Sequence, residues 1–579
     1  MPTIKVRLVS PSSVSFEPSS FLGASFGAFR QAMNDAGVRA RKVGAIWKNE
    51  APIAIGVKAA ALLQSAGFDL DLDEATRVVM TGAVKDAVQD VQGADAILDR
   101  IAQDLATRGQ RLYPYQREGV RALLAERTLV LGDDMGLGKT VQMLCTIPRN
   151  GQALVICPAL VKGSFSAEVK RWRPDLSPVI LDGRGSFRWP APGEVVITNY
   201  EILPGKSGTY GLDMGEIKRP PSGTVLLVDE IHRCGNSKTL VTERVRALVG
   251  LILDEGGRTY GATGTLMRTS PPNIWNILTS LRLNKRAYGS YDGFTSAFGG
   301  WQDRFGAWTW PTNPPAQAAE GLRKVMIRRT KEQVAKDLPS CTTSDMTVPV
   351  SASLLRKLDK IADRTLAKIK AKGLAQDAKS LSEVSDEDLD KAMKDGSSIG
   401  EISAVRETLA MAKVPTAIEW CEDMEAQGEP VLVFSAHVAV AEAIGSRPGW
   451  GLITGAVPAE ERTRIVADFQ AGKLVGVAGT IGAMGVGVTM TRAAQVLFVD
   501  LSWTPADNAQ ARDRAHRHGQ TRPVNVTRLV CDHPVDQRIA QVLSEKIERN
   551  LNSVEAASVG EDFRAQAPII PVLSEVKSV

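Results

Sequence analysis

A glycine-containing stretch, GDDMGLGKT, runs from Gly132 to Thr140 and follows an apolar segment. Backbone N–H groups in such a turn point inward, and the start of the following helix adds positive potential, so the stretch favours an anionic phosphate. Lys139 would reach the β- and γ-phosphates of a nucleotide, and the Thr140 hydroxyl would bind magnesium. However, the usual pattern G-x-x-x-x-G-K-S/T has glycine where this sequence has Asp133. A glycine-rich turn without a ligand therefore stays open as an alternative.

An acidic pair, Asp229 and Glu230, ends the apolar run TVLLVDE and is followed by His232. A carboxylate at the tip of a buried strand can hold hydrated magnesium, and its neighbour can orient and deprotonate an attacking water molecule. On its own the pair could equally be a solvated turn or a helix cap, and His232 a surface histidine. Because the pair follows Lys139 by 90 residues, an ATPase lobe is favoured, with His232 coupling the nucleotide to a second lobe.

Two series of nearly continuous apolar runs surround these residues. The first comprises TLVLGDD, ALVICP, VVITNY, TVLLVDE and RTYGATGT, and the second comprises VLVFSAH, WGLITG, VGVAGT, QVLFVDL and VNVTRLV. Such runs predict strands that are covered on both faces. Helix-length segments alternate with them, which predicts an α/β protein with two parallel-sheet lobes.

Length and composition bound the class of protein. The chain has 579 residues, of which 44% are hydrophobic and 23% charged, with a formal net charge of +5. Single cores stop growing at about 250–300 residues, so we expect several domains. The mild positive charge permits a polyanionic partner, and six cysteines without a C-x-x-C pair predict neither a disulfide framework nor a zinc module. The absence of a signal peptide and of a membrane-spanning run favours a cytoplasmic protein without membrane contact.

We expect five segments along the chain. They are a small mixed α/β accessory domain that could bind DNA (1–108), a first lobe (109–345), a helical linker (346–404), a second lobe (405–555) and a flexible tail (556–579). In the linker, apolar residues at helical spacing predict an amphipathic helix over residues 353–372; these are Leu354, Leu358, Ile361, Ala362, Leu366 and Ile369. The polar stretch 373–399 is expected to be mobile or weakly helical.

Further motifs occur in the order seen in one known family. They include LYPYQREGV (Leu112–Val120), LVICPALVKGSFSAEVKRW, VVITNYEIL, VDEIH, GATGTLMRTSPPNIWNIL, VMIRRTKEQVAKDLP and QARDRAHRHGQ. With GDDMGLGKT, they resemble the Swi/Snf-type DNA-dependent ATPases of superfamily 2 over residues 110–548. That family's loop commonly reads D-E-M-G-L-G-K-T, so Asp133 matches the family pattern. The resemblance implies two tandem RecA-like lobes that use ATP and Mg²⁺, and Glu401–Trp420 resembles the lead-in segment of the annealing-helicase (HepA-related) branch.

Several positions depart from the family pattern. Asp134 replaces Glu, Ile231 replaces the more usual Ala of D-E-A-H, and Leu266 stands where many relatives have Pro. Arg512 and His518 are unusual neighbours in the arginine motif. None of these changes removes a group that hydrolysis needs, but they leave the branch and the preferred substrate open.

The resemblance implies roles for individual residues of the ATP site. Tyr113 and Gln116 match the element that reads adenine, with a packed tyrosine beside a helix-start glutamine as the alternative. Gln510, Arg514 and Arg517 match Q-x-x-x-R-x-x-R at spacings that share a helix face, with a basic solvated helix as the alternative. Catalysis is assigned to Lys139, Asp229, Glu230, Arg514 and Arg517; nucleotide binding to Tyr113, Gln116, Asp134, Met135, Gly136, Leu137, Gly138, Lys139, Thr140 and Gln510; magnesium to Thr140 and Asp229; and coupling to His232, Gly264 and Thr265.

Duplex DNA is expected to lie across both lobes and to be contacted mainly through phosphates, with little sequence preference. Candidate contacts are residues near strand ends that a phosphate can approach, and structural turns explain them equally well; they are Lys162, Ser164, Thr198, Asn199, Thr480 and Gly482. The run Arg323–Lys331 could touch the DNA backbone or pack as a linker.

Aromatic and basic residues offer two further contact surfaces. The segment WQDRFGAWTW contains Trp301, Trp308 and Trp310 and could stack on bases, although a packed accessory hairpin is favoured. In the N-terminal segment, a basic group with one tryptophan could contact a DNA junction or form an ordinary turn; its members are Arg39, Arg41, Lys42 and Trp47.

The resemblance as a whole implies a monomeric ATPase that translocates on double-stranded DNA and remodels or reanneals branched structures. The nearest alternative is a strand-separating helicase or a restriction-type translocase with the same engine. A non-catalytic DNA-binding scaffold is an alternative of another class, and the intact Lys139, Glu230 and Arg517 disfavour it.

Overall fold

A computed structural model divides the chain into a unit within residues 1–126 and a larger unit within residues 127–558. The structure describes residues 2–10, 13–19, 22–36, 38–43, 46–52, 59–60, 62–183, 185–204, 219–267, 270–302, 306, 308–311, 314–349, 351–371, 373, 375–379, 399–485, 488–502 and 504–531. Among these residues, no helix is both long and apolar enough to cross a membrane.

The N-terminal unit is built on a mixed five-stranded sheet. Its elements are β1 (Thr3–Ser10), β2 (Ser13–Pro18), α1 (Phe26–Ala36), β3 (Arg39–Val43), β4 (Ile46–Pro52), β5 (Asp69–Leu72), α2 (Glu74–Ala106) and α3 (Pro114–Ala125). The strand order is β3-β4-β2-β1-β5, and of the paired strands only β1 and β5 run parallel. The predicted mixed α/β character is confirmed. Arg39, Arg41, Lys42 and Trp47 lie on the β3–β4 hairpin, and their side chains are outside the described part of the chain.

The first lobe of the larger unit contains a parallel seven-stranded sheet. Its strands are β6 (Thr128–Leu131), β7 (Ala153–Cys157), β8 (Ser177–Ile180), β9 (Glu194–Asn199), β10 (Val225–Asp229) and β11 (Arg258–Ala262), followed by a separate hairpin of β12 (Trp301–Gln302) and β13 (Trp308–Thr309), and by β14 (Met326–Ile327). The sheet order is β14-β6-β11-β10-β7-β9-β8. Its helices are α4 (Lys139–Leu144), α5 (Lys162–Trp172), α6 (Leu240–Asp254), α7 (Pro272–Ser280), α8 (Asn284–Tyr288), α9 (Tyr291–Ala297), α10 (Ala316–Arg323) and α11 (Lys331–Val334).

The second lobe contains a parallel six-stranded sheet. Its strands are β15 (Cys341–Val348), β16 (Val431–Ser435), β17 (Trp450–Ile453), β18 (Gly476–Thr480), β19 (Gln495–Phe498) and β20 (Val524–Cys531), in the order β15-β20-β19-β16-β18-β17. Its helices are α12 (Ala352–Ala371), α13 (Ile399–Ala412), α14 (Val414–Ala426), α15 (Val438–Gly445), α16 (Ala459–Gln470), α17 (Ile481–Met484) and α18 (Pro505–Arg512). The two tandem RecA-like lobes predicted from the sequence are therefore confirmed.

The predicted strands are apolar because both sheet faces are covered. In the first lobe Leu226 pairs with Leu154 and Val228 with Ile156, and all four side chains are buried. In the second lobe the central strand β16 is buried along its whole length. Since parallel strands end at one edge of a sheet, residues that follow β6, β10 and β11 are brought together there.

Two linker predictions have different outcomes. Helix α12 confirms the predicted helix over 353–372, and its Leu366 and Ile369 are buried. The predicted boundary at residue 345 falls inside β15, which pairs along its whole length with β20 of the second sheet. Most of the polar stretch 373–399, and the tail 556–579, lie outside the described residues.

Candidate active site

The phosphate-loop candidate joins β6 to α4. Gly136 and Gly138 have φ angles of 86° and 75°, in the left-handed region that glycine adopts without strain. Lys139 begins α4, and its Nζ donates to the carbonyl oxygens of Asp133 (2.8 Å) and Asp134 (3.1 Å). Burial lowers the pKa of Lys139, and the nearby carboxylates, first of them that of Glu230, oppose this shift. The lysine ammonium therefore lies over the loop, close to the acidic residues of the site.

Asp133, which replaces the usual first glycine, is a fully buried carboxylate. Arg329 donates to both of its oxygens, from Nε to Oδ1 at 2.9 Å and from Nη2 to Oδ2 at 2.5 Å. Gln142 completes the group, since its Nε2 donates to Asp133 Oδ2 at 3.1 Å and its Oε1 accepts from Arg329 at 2.8 Å. A buried charge needs such a partner. The start of the loop is thus held by a side-chain ion pair, and sequence reasoning missed Arg329.

The middle of the loop is held by contacts on two sides. Asp134 accepts a hydrogen bond from Arg328 Nη2 on Oδ1 and one from the backbone N–H of Lys331 on Oδ2, both at 3.1 Å. A Cβ atom at Gly264 would lie 2.5 Å from Met135 Cγ, so a side chain at Gly264 would displace the loop. The remaining predicted loop residues are Leu137, which is buried, and Thr140, which is partly buried in the first turn of α4.

The acidic pair lies where β10 ends, and Glu230 has a left-handed backbone with φ 55° and ψ 48°. This conformation costs a non-glycine residue about 1–3 kcal/mol and is commonly found at functional sites. The fully buried Tyr200 donates its hydroxyl to the carbonyl oxygens of Asp229 at 2.6 Å and Glu230 at 3.2 Å. Tyr200 therefore fixes the backbone of the pair. It belongs to the motif VVITNYEIL, but its role was not predicted.

The two carboxyl groups have pKa values shifted in opposite directions. Burial, together with the charge of Glu230, raises the pKa of Asp229 to about 7. Burial also acts to raise the pKa of Glu230, but the hydrogen bond and charge of His232 and the charges of Lys139 and Arg514 outweigh it and lower this pKa to about 2. Glu230 is therefore ionised at neutral pH, whereas Asp229 is poised between its two forms.

The predicted coupling residues meet through a threonine. His232 Nδ1 lies 3.0 Å from Glu230 Oε2 and 3.0 Å from Thr263 Oγ1. The Thr263 hydroxyl in turn donates to the carbonyl oxygen of Thr265 and accepts from its N–H, both at 3.0 Å. A continuous polar path thus leads from Glu230 to the loop after β11. Thr263 was not among the predicted residues.

The arginine-bearing segment of the second lobe reaches the same place. Gln510 on α18 donates from Nε2 to Glu230 Oε1 at 3.1 Å, which joins the two lobes. Arg514 donates from Nε to the Gln510 carbonyl at 3.1 Å and from Nη1 to the Val488 carbonyl at 3.1 Å. Burial and the charge of Arg517 lower the pKa of Arg514 to about 10, while Asp513, Glu230 and Asp229 oppose this shift. Arg514 is therefore protonated at neutral pH.

Arg517 lies directly against the phosphate loop. A Cβ atom at Gly136 would be 2.9 Å from Arg517 Cβ, so the two lobes touch at this glycine. Arg517 is partly buried, and its Nη1 donates to the Val488 carbonyl at 3.4 Å. The structure thus brings together the residues predicted for catalysis, together with Gln510; they are Lys139, Asp229, Glu230, Arg514 and Arg517.

The side chains of the site could bind magnesium only together with other ligands. The described residues contain no group of three or more His, Cys, Asp or Glu side chains that could hold a metal ion by themselves. Magnesium usually binds one or two carboxylates together with phosphates and water molecules. The charged form of the partly buried Asp229, which desolvation disfavours, would be stabilised by a divalent cation. The residues fit magnesium that arrives with a nucleotide.

Tyr113 and Gln116 lie in the N-terminal unit, at the start of α3. The Gln116 Oε1 accepts a hydrogen bond from the backbone N–H of Tyr113 at 3.0 Å, and Tyr113 stacks on Tyr115 with ring centroids 5.8 Å apart. This is the arrangement of a helix start. Their predicted role in reading adenine stays a prediction.

The predicted DNA contacts fall into two groups. Ser164 and Gly482 are exposed, and Thr480 is partly exposed at the start of α17. The other three are engaged inside the first lobe. Lys162 Nζ lies 2.5 Å from Asp182 Oδ1 and donates to the Leu181 carbonyl at 2.8 Å, and the remaining two, Thr198 and Asn199, are buried. A DNA contact through those two side chains would require local opening of the lobe.

The run Arg323–Lys331 and the tryptophan segment, the two remaining candidates for DNA contact, both pack at least partly inside the protein. In the run Arg323–Lys331, the side chains of Arg328, Arg329 and Lys331 are buried, which agrees with packing of a linker. In the tryptophan segment, Trp301 and Trp308 lie on the β12–β13 hairpin and are 52% and 39% exposed. Trp310 packs against Phe294 and Phe298 with centroid distances of 5.8 and 6.5 Å. The hairpin is therefore packed on one side and leaves two rings accessible.

Comparison with known proteins identifies both lobes. A SNF2-related domain matches residues 115–395, and a helicase conserved C-terminal domain matches residues 412–519. The chain is 26% identical over 461 residues to the SWI/SNF-related matrix-associated actin-dependent regulator of chromatin subfamily A-like protein 1 of Xenopus tropicalis, covering 76% of this chain and 44% of that protein.

Two further relatives have helicase names. The chain is 27% identical over 465 residues to the putative ATP-dependent helicase/translocase YwqA of Bacillus subtilis, covering 75% of this chain and 48% of that protein. It is 26% identical over 463 residues to the DNA annealing helicase and endonuclease ZRANB3 of Bos taurus, covering 75% and 40%. The chain spans less than half the length of these three relatives. With both lobes matched and their motifs meeting at one site, the chain carries the paired SNF2-related and helicase C-terminal domains of a Swi/Snf-type DNA-dependent ATPase.

Proposed function

We propose that the protein is an ATP-driven translocase on double-stranded DNA that remodels or reanneals branched DNA. The observation that carries the proposal is the hydrogen bond from Gln510 of the second lobe to Glu230 of the first, at 3.1 Å. It makes the surroundings of Glu230 depend on how the lobes meet. The names of the relatives, a helicase/translocase and an annealing helicase, support the same function.

In the first lobe, the residues would bind the nucleotide and orient water. Lys139 and the N–H groups of the loop would bind phosphate oxygens. Thr140 and Asp229 would hold Mg²⁺, which when bound neutralises charge that develops on the phosphates. Glu230 is ionised because its pKa is lowered to about 2. The ionised Glu230 would orient the attacking water and accept its proton.

In the second lobe, the arginines would stabilise the transition state. A guanidinium group pairs two phosphate oxygens at once and remains charged, and such an arginine contributes about 10³–10⁵ in rate. Arg514 lies in electrostatic reach of the acidic pair, and Arg517 lies against Gly136. Because both come from the second lobe, hydrolysis would require closure, and alternating closure would move the protein along a duplex.

DNA binding would use the exposed candidates at the carboxyl ends of strands in both sheets. Ser164 lies in the first turn of α5, after β7 of the first lobe; in the second lobe Thr480 ends β18 and Gly482 lies two residues further on. Small residues with free approach allow a phosphate oxygen to come close to the backbone. Contacts of this kind position a protein on DNA without reading bases.

The test is steady-state ATP hydrolysis without nucleic acid and with single-stranded DNA, duplex DNA, forked DNA or RNA. Lys139→Ala serves as the inactive blank, since it should abolish turnover while leaving DNA binding intact. We expect strong stimulation by duplex or forked DNA and little by RNA. A fork with labelled strands then separates the outputs, because reannealing supports the proposal and net strand separation supports the helicase alternative. No stimulation by any DNA would contradict the proposal and favour the scaffold.

A further inference from the structure

Four residues, Arg328–Lys331, follow the last strand of the first sheet and lie beside the phosphate loop. Arg328, Arg329 and Lys331 are each about 95% buried. The two arginines contact the start of the phosphate loop in the first lobe, where Arg328 donates to the Gly132 carbonyl at 2.8 Å and Arg329 pairs with Asp133. Lys331 differs, because its side chain leaves the lobe.

Lys331 contacts both sides of the site. Its backbone N–H donates to Asp134 Oδ2 of the phosphate loop at 3.1 Å. Its Nζ lies 2.9 Å from Asp513 Oδ1 and donates to the His516 carbonyl at 2.7 Å. Asp513 directly precedes Arg514, and His516 directly precedes Arg517. One lysine therefore connects the phosphate loop with the two chain positions that carry the arginines.

The Lys331–Asp513 ion pair is largely excluded from water when the two lobes are in contact. The Lys331 and Asp513 side chains are only 7% and 6% exposed. Burial acts to raise the pKa of Asp513, but the charges of Arg512 and Lys331 outweigh it and lower this pKa, so the carboxylate is charged. If the lobes separated, both groups would return to water and the attraction would be largely lost. The pair therefore forms in the same arrangement that brings Arg517 to Gly136.

We propose that Lys331 is a positioning residue that holds the arginine-bearing segment of the second lobe against the phosphate loop when the lobes close. It acts through Asp513 and the backbone of His516. The proposal rests on the proposed function, since it assumes that ATP is hydrolysed between the lobes. It adds a residue whose removal should uncouple closure from turnover while nucleotide binding to the first lobe persists.

The variants are Lys331→Met, Lys331→Arg and the matched control Lys336→Met. Methionine preserves the apolar stem beside Gly136 and removes the charge, and Asp513 retains Arg512, whose Nε lies 3.0 Å from Asp513 Oδ1. Lys336 lies five residues further along and is exposed. We expect Lys331→Met to lower kcat on duplex DNA by about 5- to 150-fold, the usual range of a coupling between sites. The affinity for ADP should stay near that of the unaltered protein.

Two comparisons separate positioning from a general structural role. Lys331→Arg should recover part of the lost turnover, because a guanidinium can still pair with Asp513. Asp513→Asn should lower kcat as Lys331→Met does, and the double variant should lose little more, since both changes break one contact. If Lys331→Met weakened ADP binding as strongly as turnover, the residue would serve the loop's structure and the proposal would be wrong.

A distance measurement tests closure without activity. Dyes are attached through Lys238→Cys in the first lobe and Glu460→Cys in the second, both exposed positions. With duplex DNA and a non-hydrolysable ATP analogue, Lys331→Met should reduce the population with the short distance, and Lys336→Met should not. An unchanged short-distance population together with unchanged turnover would overturn the proposal. If the unaltered protein hydrolyses no ATP with any DNA, the proposed function fails, and the dye distances alone decide the role of Lys331.

Discussion

Two residues beside the phosphate loop, Arg329 and Lys331, are two positions apart in the chain, and each forms a buried ion pair. Arg329–Asp133 and Lys331–Asp513 have N–O distances of 2.5 and 2.9 Å and are almost equally buried. The first continues a backbone ladder, in which Gly132 and Asp134 donate to the carbonyls of Ile327 and Arg329 at 2.7 and 3.0 Å. The second joins the start of α11 in the first lobe to the end of α18 in the second lobe. The two ion pairs are therefore alike in burial and distance but differ in what they connect. Arg329–Asp133 reinforces elements that backbone hydrogen bonds already join, whereas Lys331–Asp513 connects the two lobes.

The largest effects are expected from Lys139 and Arg517, the residues of the two lobes that we propose bind phosphate. Arg517→Ala should lower hydrolysis by about 10³–10⁵, with ATP affinity little changed, because the second lobe acts on closure. Lys139→Ala should abolish turnover and also weaken nucleotide binding. Turnover and nucleotide affinity, measured in parallel, check both. Normal turnover in Arg517→Ala would show that its role is misassigned.

An effect of intermediate size is expected on the free energy of unfolding, to which the two ion pairs should contribute differently. Arg329→Met would leave Asp133 buried and unpaired, which we expect to cost about 3–5 kcal/mol of unfolding free energy. Lys331→Met should cost much less, since Asp513 keeps Arg512 and both groups can reach water when the lobes open. Denaturant unfolding of the two matched variants gives the difference. Equal losses would mean that the pair across the lobes also maintains the fold.

The smallest effect is a dependence of stability on pH. The pKa of Asp229 is about 7 in the folded protein and about 4 when unfolded. The folded state therefore holds the proton more tightly, and stability should fall as pH rises from 4 to 7 and stay reduced above. Glu230, lowered to about 2, acts oppositely and only below pH 4.5.

Thermal unfolding without magnesium at pH 5 and pH 8 measures this effect. In Asp229→Asn the fall in the unfolding midpoint between pH 5 and pH 8 should be smaller than in the unaltered protein, because the titrating carboxyl group is gone. Neither Arg329→Met nor Lys331→Met removes this titrating group, so both should retain the dependence. A pH profile of Asp229→Asn equal to that of the unaltered protein would show that Asp229 does not titrate in this range.

The local chemistry of the site could be predicted from the sequence because its signals are local. The strands β6 and β10 appear as apolar runs; the loop directly follows β6, and the acidic pair begins at the last residue of β10. The supporting residues could not be predicted in this way. Arg329 and Asp133 are 196 positions apart, and a buried arginine has the same sequence pattern as a solvated one, so the run after β14 was equally compatible with DNA contact.

Two other misses have physical causes of their own. Tyr200 follows a strand, and nothing in its neighbours indicates that its hydroxyl reaches the backbone of the acidic pair. Strand β15 was divided between a lobe and a linker because seven of its eight residues are partly or fully exposed. An edge strand of this kind lacks the apolar run that identifies central strands.

The placement of β15 makes the segment 328–340 the covalent bridge from the first sheet to the second. Three of its first four residues, Arg328, Arg329 and Lys331, contact the phosphate loop, and residues 332–340 form the rest of the connection. Even fully extended, nine residues reach no more than about 30 Å. This length limits how far the two lobes can separate. If the distance between β14 and β15 grew beyond it, the connection would displace the residues that contact the phosphate loop. Separation of the lobes beyond this limit would therefore weaken the binding of ATP to the loop.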